Sequence, residues 1–259
     1  MEPATHNTAN VTRKLRIGII LASALAAAPA VRGAGPPDGL AKIVAARETA
    51  SAAARLNYTY RQSVVIEDFD RRGRKGGVYT EVREIIFSPE TGRSERFVKG
   101  PNNSLRFLKL TEEDFRDIRE VQPFLFTSDN VWAYETEYKG TDFIDGKEYY
   151  LLRVRPRQIF YGQRYFDGLL WIDRNDLAVA RSEGKAVPPV FKKGSDNLFP
   201  AFTTIREKVD GNYWFPVFTR ADDVLPFRTG PQRIRMTIKY SDYRRFRADS
   251  TVRFGEPEP

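Results

Sequence analysis

Ser182-Glu183-Gly184-Lys185 has the spacing by which some acyl-transferring enzymes set a lysine beside a nucleophilic serine. That chemistry needs the serine at the start of a helix. Here the serine ends a run that reads as a strand, and Gly184 follows it, so the spacing is a coincidence. Two acid pairs, Glu112-Glu113 and Asp222-Asp223, would serve glycoside chemistry only if two carboxyl groups faced each other across a cleft. Adjacent acids on a helix start or a turn do not provide that. The single histidine is His6, and no cysteine occurs in the 259 residues. Without a second histidine or a thiol the chain lacks the parts of a Ser-His-Asp triad, a Cys-His pair or an ordinary zinc site. No catalytic residue, metal site or cofactor is expected, and the chain reads as a protein that is not an enzyme.

His6 itself falls in a segment expected to be removed. Arg13, Lys14 and Arg16 precede an apolar run from Ile17 to Ala28, and Ala28-Pro29-Ala30 offers a small-x-small cleavage site. Residues 1–30 therefore have the anatomy of a secretory signal peptide. A membrane span would need about 20 apolar residues, and the n-region has no paired arginine, which favours the general export route. The absence of cysteine excludes disulfides and a lipid carried on an N-terminal cysteine. The expectation is a periplasmic protein, cleaved and not lipid-anchored. About 229 residues remain, enough to bury a core without staples. The net charge is +8, of which Arg13, Lys14 and Arg16 less Glu2 contribute +2, leaving +6 on the mature chain. That excess suits anionic headgroups or plain solubility. The basic residues are scattered, and an exported chain is a poor partner for nucleic acid.

The element that organises the rest is Phe166 to Glu183. Phe166-Asp167-Gly168-Leu169-Leu170-Trp171-Ile172 and Leu177-Ala178-Val179-Ala180 flank the turn cluster Asp173-Arg174-Asn175-Asp176. This is a hairpin signal, and the non-alternating first run belongs inside a sheet with both faces covered. Trp171 falls either in the lining of that sheet or in the support behind it. Upstream, residues 31–39 form a Gly/Pro-rich leader. An Ala-rich helix runs from a cap at Asp38 or Gly39 to about Leu56. A period of two then sets in, with Tyr58, Tyr60, Val64 and Ile66 on one face. Asp70 to Gly77 is a charged, flexible tip. Val78 to Phe87, the turn Pro89 to Gly92, and Arg93 to Val98 continue the meander. A second helix is expected from Thr111, limited by Pro123. Strands resume at Val131 with Trp132, Tyr134 and Tyr138 alternating, then Lys147 to Val154 with Tyr150, Leu152 and Val154 on one face. After the central hairpin the segment Lys185 to Pro200 reads as a loop long enough to be functional. Phe202 to Val209 pairs with Tyr213 to Arg220, and Arg233 to Tyr240 alternates without error. About ten strands joined by tight turns imply antiparallel neighbours in one curling sheet. The expected fold is mainly β (α+β): a half-open or closed barrel with a helical lid, without a domain boundary or internal repeat.

This order of features resembles the LolA/LolB-like superfamily of periplasmic lipoprotein carriers, in particular the outer-membrane lipoprotein-sorting proteins. The resemblance rests on the expected signal peptide, the N-terminal helix, Tyr58-Thr59-Tyr60-Arg61-Gln62 and the Gly-bearing hairpin at Asp70 to Gly77. It continues with Phe166 to Asp173, Arg206-Glu207-Lys208-Val209-Asp210-Gly211-Asn212-Tyr213-Trp214-Phe215-Pro216, and Tyr240 to Phe246. It implies an unclosed antiparallel barrel over residues 40–254, with 255–259 as a tail, whose lidded concave face holds acyl chains. The cysteine-free N-terminus is like the soluble carriers.

An acyl chain of about 16 carbons gains on the order of 13 kcal/mol from burial at ~0.8 kcal/mol per methylene, so carriage through water needs an enclosing protein. The residues expected to line such a cavity are Tyr58, Tyr60, Val64, Ile66, Trp132, Tyr134, Leu152, Val154, Ile234, Met236, Ile238 and Tyr240. Each is equally readable as core. Cations at Arg71 to Lys75, at Arg153, Arg155 and Arg157, and at Arg244, Arg245 and Arg247 either meet anionic lipid or an acidic partner, or oppose aggregation at strand edges and turns. Two readings follow. One is a monomeric carrier of an acylated lipoprotein or lipid. The other is an envelope sensor or interaction module with a filled barrel that binds a membrane-protein partner.

Overall fold

The computed structural model describes residues 35–88, 92–120, 126–192 and 195–245. Residues 1–34, which include the stretch read as a signal peptide and most of the expected leader, residues 89–91, Pro123, Arg247 and the expected tail lie outside them. In chain order the elements are α1 (Leu40–Arg55), β1 (Tyr58–Phe69), β2 (Lys75–Ser88), β3 (Gly92–Asn103) and α2 (Glu112–Glu120). Then follow β4 (Tyr134–Ile144), β5 (Lys147–Pro156), β6 (Tyr165–Asp173), β7 (Val179–Val187), β8 (Val190–Lys192) and β9 (Ser195–Asn197). The chain continues through β10 (Phe202–Val209), β11 (Tyr213–Phe227) and β12 (Gly230–Arg245).

Ten strands form one antiparallel sheet in the order β3-β2-β1-β12-β11-β10-β7-β6-β5-β4. Its edges, β3 and β4, do not pair with each other, so the barrel is half-open, as the resemblance implied. The two remaining strands, β8 and β9, form a separate ribbon inside the segment Lys185 to Pro200, which is therefore not a plain loop. Turn chemistry sets the register. Asp145-Gly146 and Asp210-Gly211 each place two consecutive residues in the left-handed region, φ 51° and 77° and φ 51° and 72°, which is what a tight type I′ hairpin demands. Because neighbours run antiparallel, the β1–β2 and β11–β12 turns, the β5–β6 loop and the β7–β10 connection all leave one end of the sheet. The β4–β5, β6–β7 and β10–β11 turns leave the other.

The central hairpin lies in the sheet interior, and β6 is covered on both faces. Phe166, Leu170 and Ile172 join the main core, while Trp171 lies outside that cluster. Its indole N–H donates to Asp142 at 2.7 Å and the Arg181 guanidinium lies over its ring, which places it in the support behind the lining. α1 packs Leu40, Val44 and Ala45 into the core. α2 starts where expected. Thr111 Oγ1 accepts the Asp114 N–H and Asp114 Oδ2 accepts the Thr111 N–H, a reciprocal cap. α2 turns Ile118 and Phe115 inward, and the Phe115 ring meets Tyr79 at 5.6 Å.

Candidate functional site

The concave face is built by the alternation seen in the sequence. Tyr60, Val64, Ile66, Tyr134, Leu152, Val154, Met236, Ile238 and Tyr240 are all buried in one cluster. Ile234 is buried beside Leu198 and Leu225. Tyr58 is buried near the far end of the sheet, edge-on to Phe215 with ring centroids 5.1 Å apart, and its hydroxyl donates to Asp210 at 2.7 Å. Burial, the hydrogen bond to Asp210 and that carboxylate's charge push its hydroxyl up to about 12. Trp132 is the exception. Val131–Ala133 forms a short 3-10 turn rather than the start of β4, so the period of two does not hold there. The Trp132 indole N–H donates to the Asp129 carbonyl and the residue is 68 % exposed. Trp132 is not a lining residue.

Three of the expected residues, Ile66, Ile234 and Met236, floor a slot at the end of the sheet that carries the β1–β2 and β11–β12 turns. Its walls come from outside the sheet: Leu108 and Leu110 from the segment after β3, Ile118 and Asp114 from α2, and Leu198, Phe199 and Pro200 from the segment after β9. The void that remains is about 30 Å³, one water molecule's share of liquid and far below the roughly 300–1,000 Å³ of a small-molecule pocket. The slot is filled by its own walls. Burial raises the Asp114 carboxyl above its usual range, against the hydrogen bonds from Thr111.

The slot opens into a larger basin of about 1170 Å³. Leu108, Lys109, Asp196 and Phe227 border both. Around the basin stand Arg71, Arg72 and Arg74 of the β1–β2 turn, Arg106 and Lys109, and Arg228 of the β11–β12 turn. Among the described residues only two acids share it. Asp70 is paired with Arg74 at 2.7 Å and Asp196 with Arg228 at 2.5 Å, so cations dominate. The Arg228 side chain holds the Asp196 carboxyl below its usual range.

One carboxylate fixes the wall between basin and slot. Asp68 continues the inward parity of Val64 and Ile66 but is fully buried. It accepts N–H bonds from Gly77 at 2.7 Å, Arg106 at 2.7 Å, Phe107 at 2.6 Å and Leu108 at 3.0 Å. The wall lies so close to β2 that a Cβ on Gly77 would fall 1.8 Å from the Ser104 carbonyl oxygen. Sequence reading missed this node, although an Asp on the apolar parity of a strand, facing a Gly-Gly pair, was its signal.

The other half of the concave face is polar where it meets α1. Arg206 of β10 pairs with Glu48 of α1, both side chains almost wholly buried. Thr204 and Thr219 share a hydroxyl hydrogen bond at 2.8 Å. Ser182 lies buried opposite Leu170 and Thr204, while Lys185 is exposed, so the Ser-x-x-Lys spacing brings nothing together. Asp222 is engaged by Arg233 and Arg235, and Asp223 accepts the Ala201 N–H. Among the described residues no group of three or more acids, histidines or cysteines could hold a metal ion. No helix among them is long and apolar enough to cross a membrane.

No family model and no curated protein sequence matches the chain. Solved structures similar to it include a DUF1329 family protein from Desulfovibrio piger, at 17% identity and a TM-score of 0.39, over 84% of this chain and 95% of that one. Another is a putative outer membrane lipoprotein-sorting protein domain from Vibrio parahaemolyticus, at 11% identity and a TM-score of 0.35, over 76% and 90%. A third is a LolA superfamily protein from Nitrosomonas europaea, at 12% identity and a TM-score of 0.31, over 78% and 94%. The likeness is one of fold.

Proposed function

We propose that this chain is a non-catalytic binding protein of the bacterial periplasm that encloses the acyl chain of a lipid or lipoprotein. One observation carries the reading. The apolar slot has a floor made of sheet and walls made of α2, the segment after β3 and the segment after β9, so it can widen while every strand pair of the main sheet stays intact. In the described conformation the wall side chains occupy the place that the acyl chain would take. The basin at its mouth supplies cations where a charged headgroup would stay in water.

A filled concavity also favours the second reading, an interaction module. Its partner surface would be the open edge β3, where Phe97 and Val98 are exposed. The two are separated by native mass spectrometry and lipid extraction on the chain purified from the periplasm without detergent, with a fluorescent fatty acid as uptake probe. Enclosure predicts a bound acylated species or stoichiometric uptake, reduced by Leu198→Trp, which adds bulk to the slot. An empty protein that takes up no probe overturns it and turns the search to a protein partner at β3.

A further inference from the structure

The end of the sheet that carries the basin also carries an apolar tip that the acyl-binding reading does not use. Between β5 and β6 the chain reads Arg157-Gln158-Ile159-Phe160-Tyr161-Gly162-Gln163-Arg164. Ile159, Phe160 and Tyr161 are all exposed, Tyr161 completely. The tip is a turn: the Gln163 N–H donates to the Phe160 carbonyl, and Gly162 takes φ 79°, which a side chain would resist. Its base is pinned on both sides. The Arg157 N–H donates to the Ala133 carbonyl at 2.8 Å, next to exposed Trp132. Arg164 pairs with Asp117 of α2 at 3.2 Å and donates to the Pro188 carbonyl. Three large apolar side chains are thus held out in water by a rigid base, with the exposed indole of Trp132 beside that base.

The two features are joined through the β7–β10 connection. Arg164 grips it at Pro188, and Arg228 grips it at Asp196, on the rim of the basin. One end of the molecule therefore presents aromatic tips together with Arg71, Arg72, Arg106 and Lys109, for which the described residues show no ion pair. The apolar protrusions and the cations of the basin thus stand at the same end of the sheet. Trp, Tyr and Phe favour the headgroup region of a bilayer, and cations near an anionic surface add attraction to it.

We infer that this end docks on an anionic membrane surface, with Phe160 and Tyr161 entering the headgroup layer and the arginines of the basin facing lipid phosphates. The inference goes beyond the acyl-binding reading and does not depend on it. The geometry also aims the mouth of the slot at the bilayer.

The test is flotation of the chain with vesicles of phosphatidylcholine containing anionic phosphatidylglycerol, and with vesicles of phosphatidylcholine alone. Binding should occur on the anionic vesicles and fall at high salt. Phe160→Ser with Tyr161→Ser, and separately Arg71→Gln with Arg72→Gln, should each weaken it at least tenfold with unchanged melting temperature. Tyr161→Trp should shift its emission to the blue on the same vesicles, read in a chain whose Trp132 is replaced by Phe. Unchanged emission, or full binding by the serine double variant, overturns the inference. So does complete loss of binding in millimolar glycerol phosphate, which would make the basin a site for small anions. Fatty-acid uptake by the serine double variant should match that of the starting protein, so failure of docking and failure of acyl binding are read separately.

Discussion

Glu48 and Arg206 show what a single residue pair can do in this core. Each is almost wholly buried, and each is the other's ion-pair partner across the space between α1 and β10, through Glu48 Oε2. Two charges taken from water cost several kcal/mol apiece, which a good contact roughly offsets, while one charge left alone is far worse. Arg206→Met should therefore destabilise the fold by about 3–5 kcal/mol, and so should Glu48→Leu. The double variant should recover most of that loss, as a denaturant-melt cycle would reveal. Additive losses would mean that the pair contributes nothing as a pair. Neither residue was legible as a partner. Glu48 reads as a solvent-facing helix residue, and Arg206 shares its parity in β10 with the polar Thr204, as a residue of an exposed strand face would. The buried faces of β1 and β12 were legible, because Tyr58, Tyr60, Val64 and Ile66 share one parity, broken only by Gln62, and Ile234 to Tyr240 alternate without interruption. Trp132 was misplaced because the same alternation was counted across Val131–Ala133, where Asn130 and Asp129 bend the chain into a 3-10 turn.

At the scale of elements, what varies is how firmly each wall of the slot is held. The segment after β3 is tied by three N–H bonds, from Arg106, Phe107 and Leu108, to one buried carboxylate, Asp68, and has little freedom. α2 is a short helix whose start depends on Thr111 and Asp114. Because burial raises the folded Asp114 carboxyl above its unfolded value, the native state holds that proton more tightly. Its contribution to stability is complete below the unfolded value of about 3.9. It is lost as the pH rises through the higher folded value. Asp114→Asn keeps an oxygen to accept from Thr111 but cannot titrate. The melting temperature of the starting protein, minus that of the variant, should fall as the pH rises from the acid side toward neutrality. A difference that stays flat with pH would show that Asp114 does not carry this linkage. Thr111 and the acids after it announced the start of α2 in the sequence. Nothing announced that the segment before it would fold down onto Asp68, because that contact spans about forty residues and involves backbone N–H groups that every residue has.

The whole molecule is a sheet that stops short of closing, and an open sheet must protect its edges. β4 does so with charge and irregularity. Glu135 pairs with Arg155 and Glu137 with Lys139, and the register shifts between Tyr138 and Gly140, where Gly140 takes φ 102°. Charges and bulges on an edge strand discourage a second strand from pairing there. β3 places Pro101 in its edge, a residue that has no N–H to offer. The hairpins and their antiparallel pairing came out of the sequence through turn residues and periodicity, whereas the order of the strands across the sheet did not. Periodicity and turns left closure open, and it was the family resemblance that implied an unclosed barrel, since closure depends on the summed twist and stagger of ten strands rather than on any one of them. If charge is what keeps β4 unpaired, Glu137→Val with Lys139→Val should leave the fold intact and turn a monomer into a species of twice the mass, read by light scattering on a sizing column. The bulge at Gly140 would remain in that variant. A monomer that persists at high concentration would therefore assign the protection of this edge to the bulge and not to the charges.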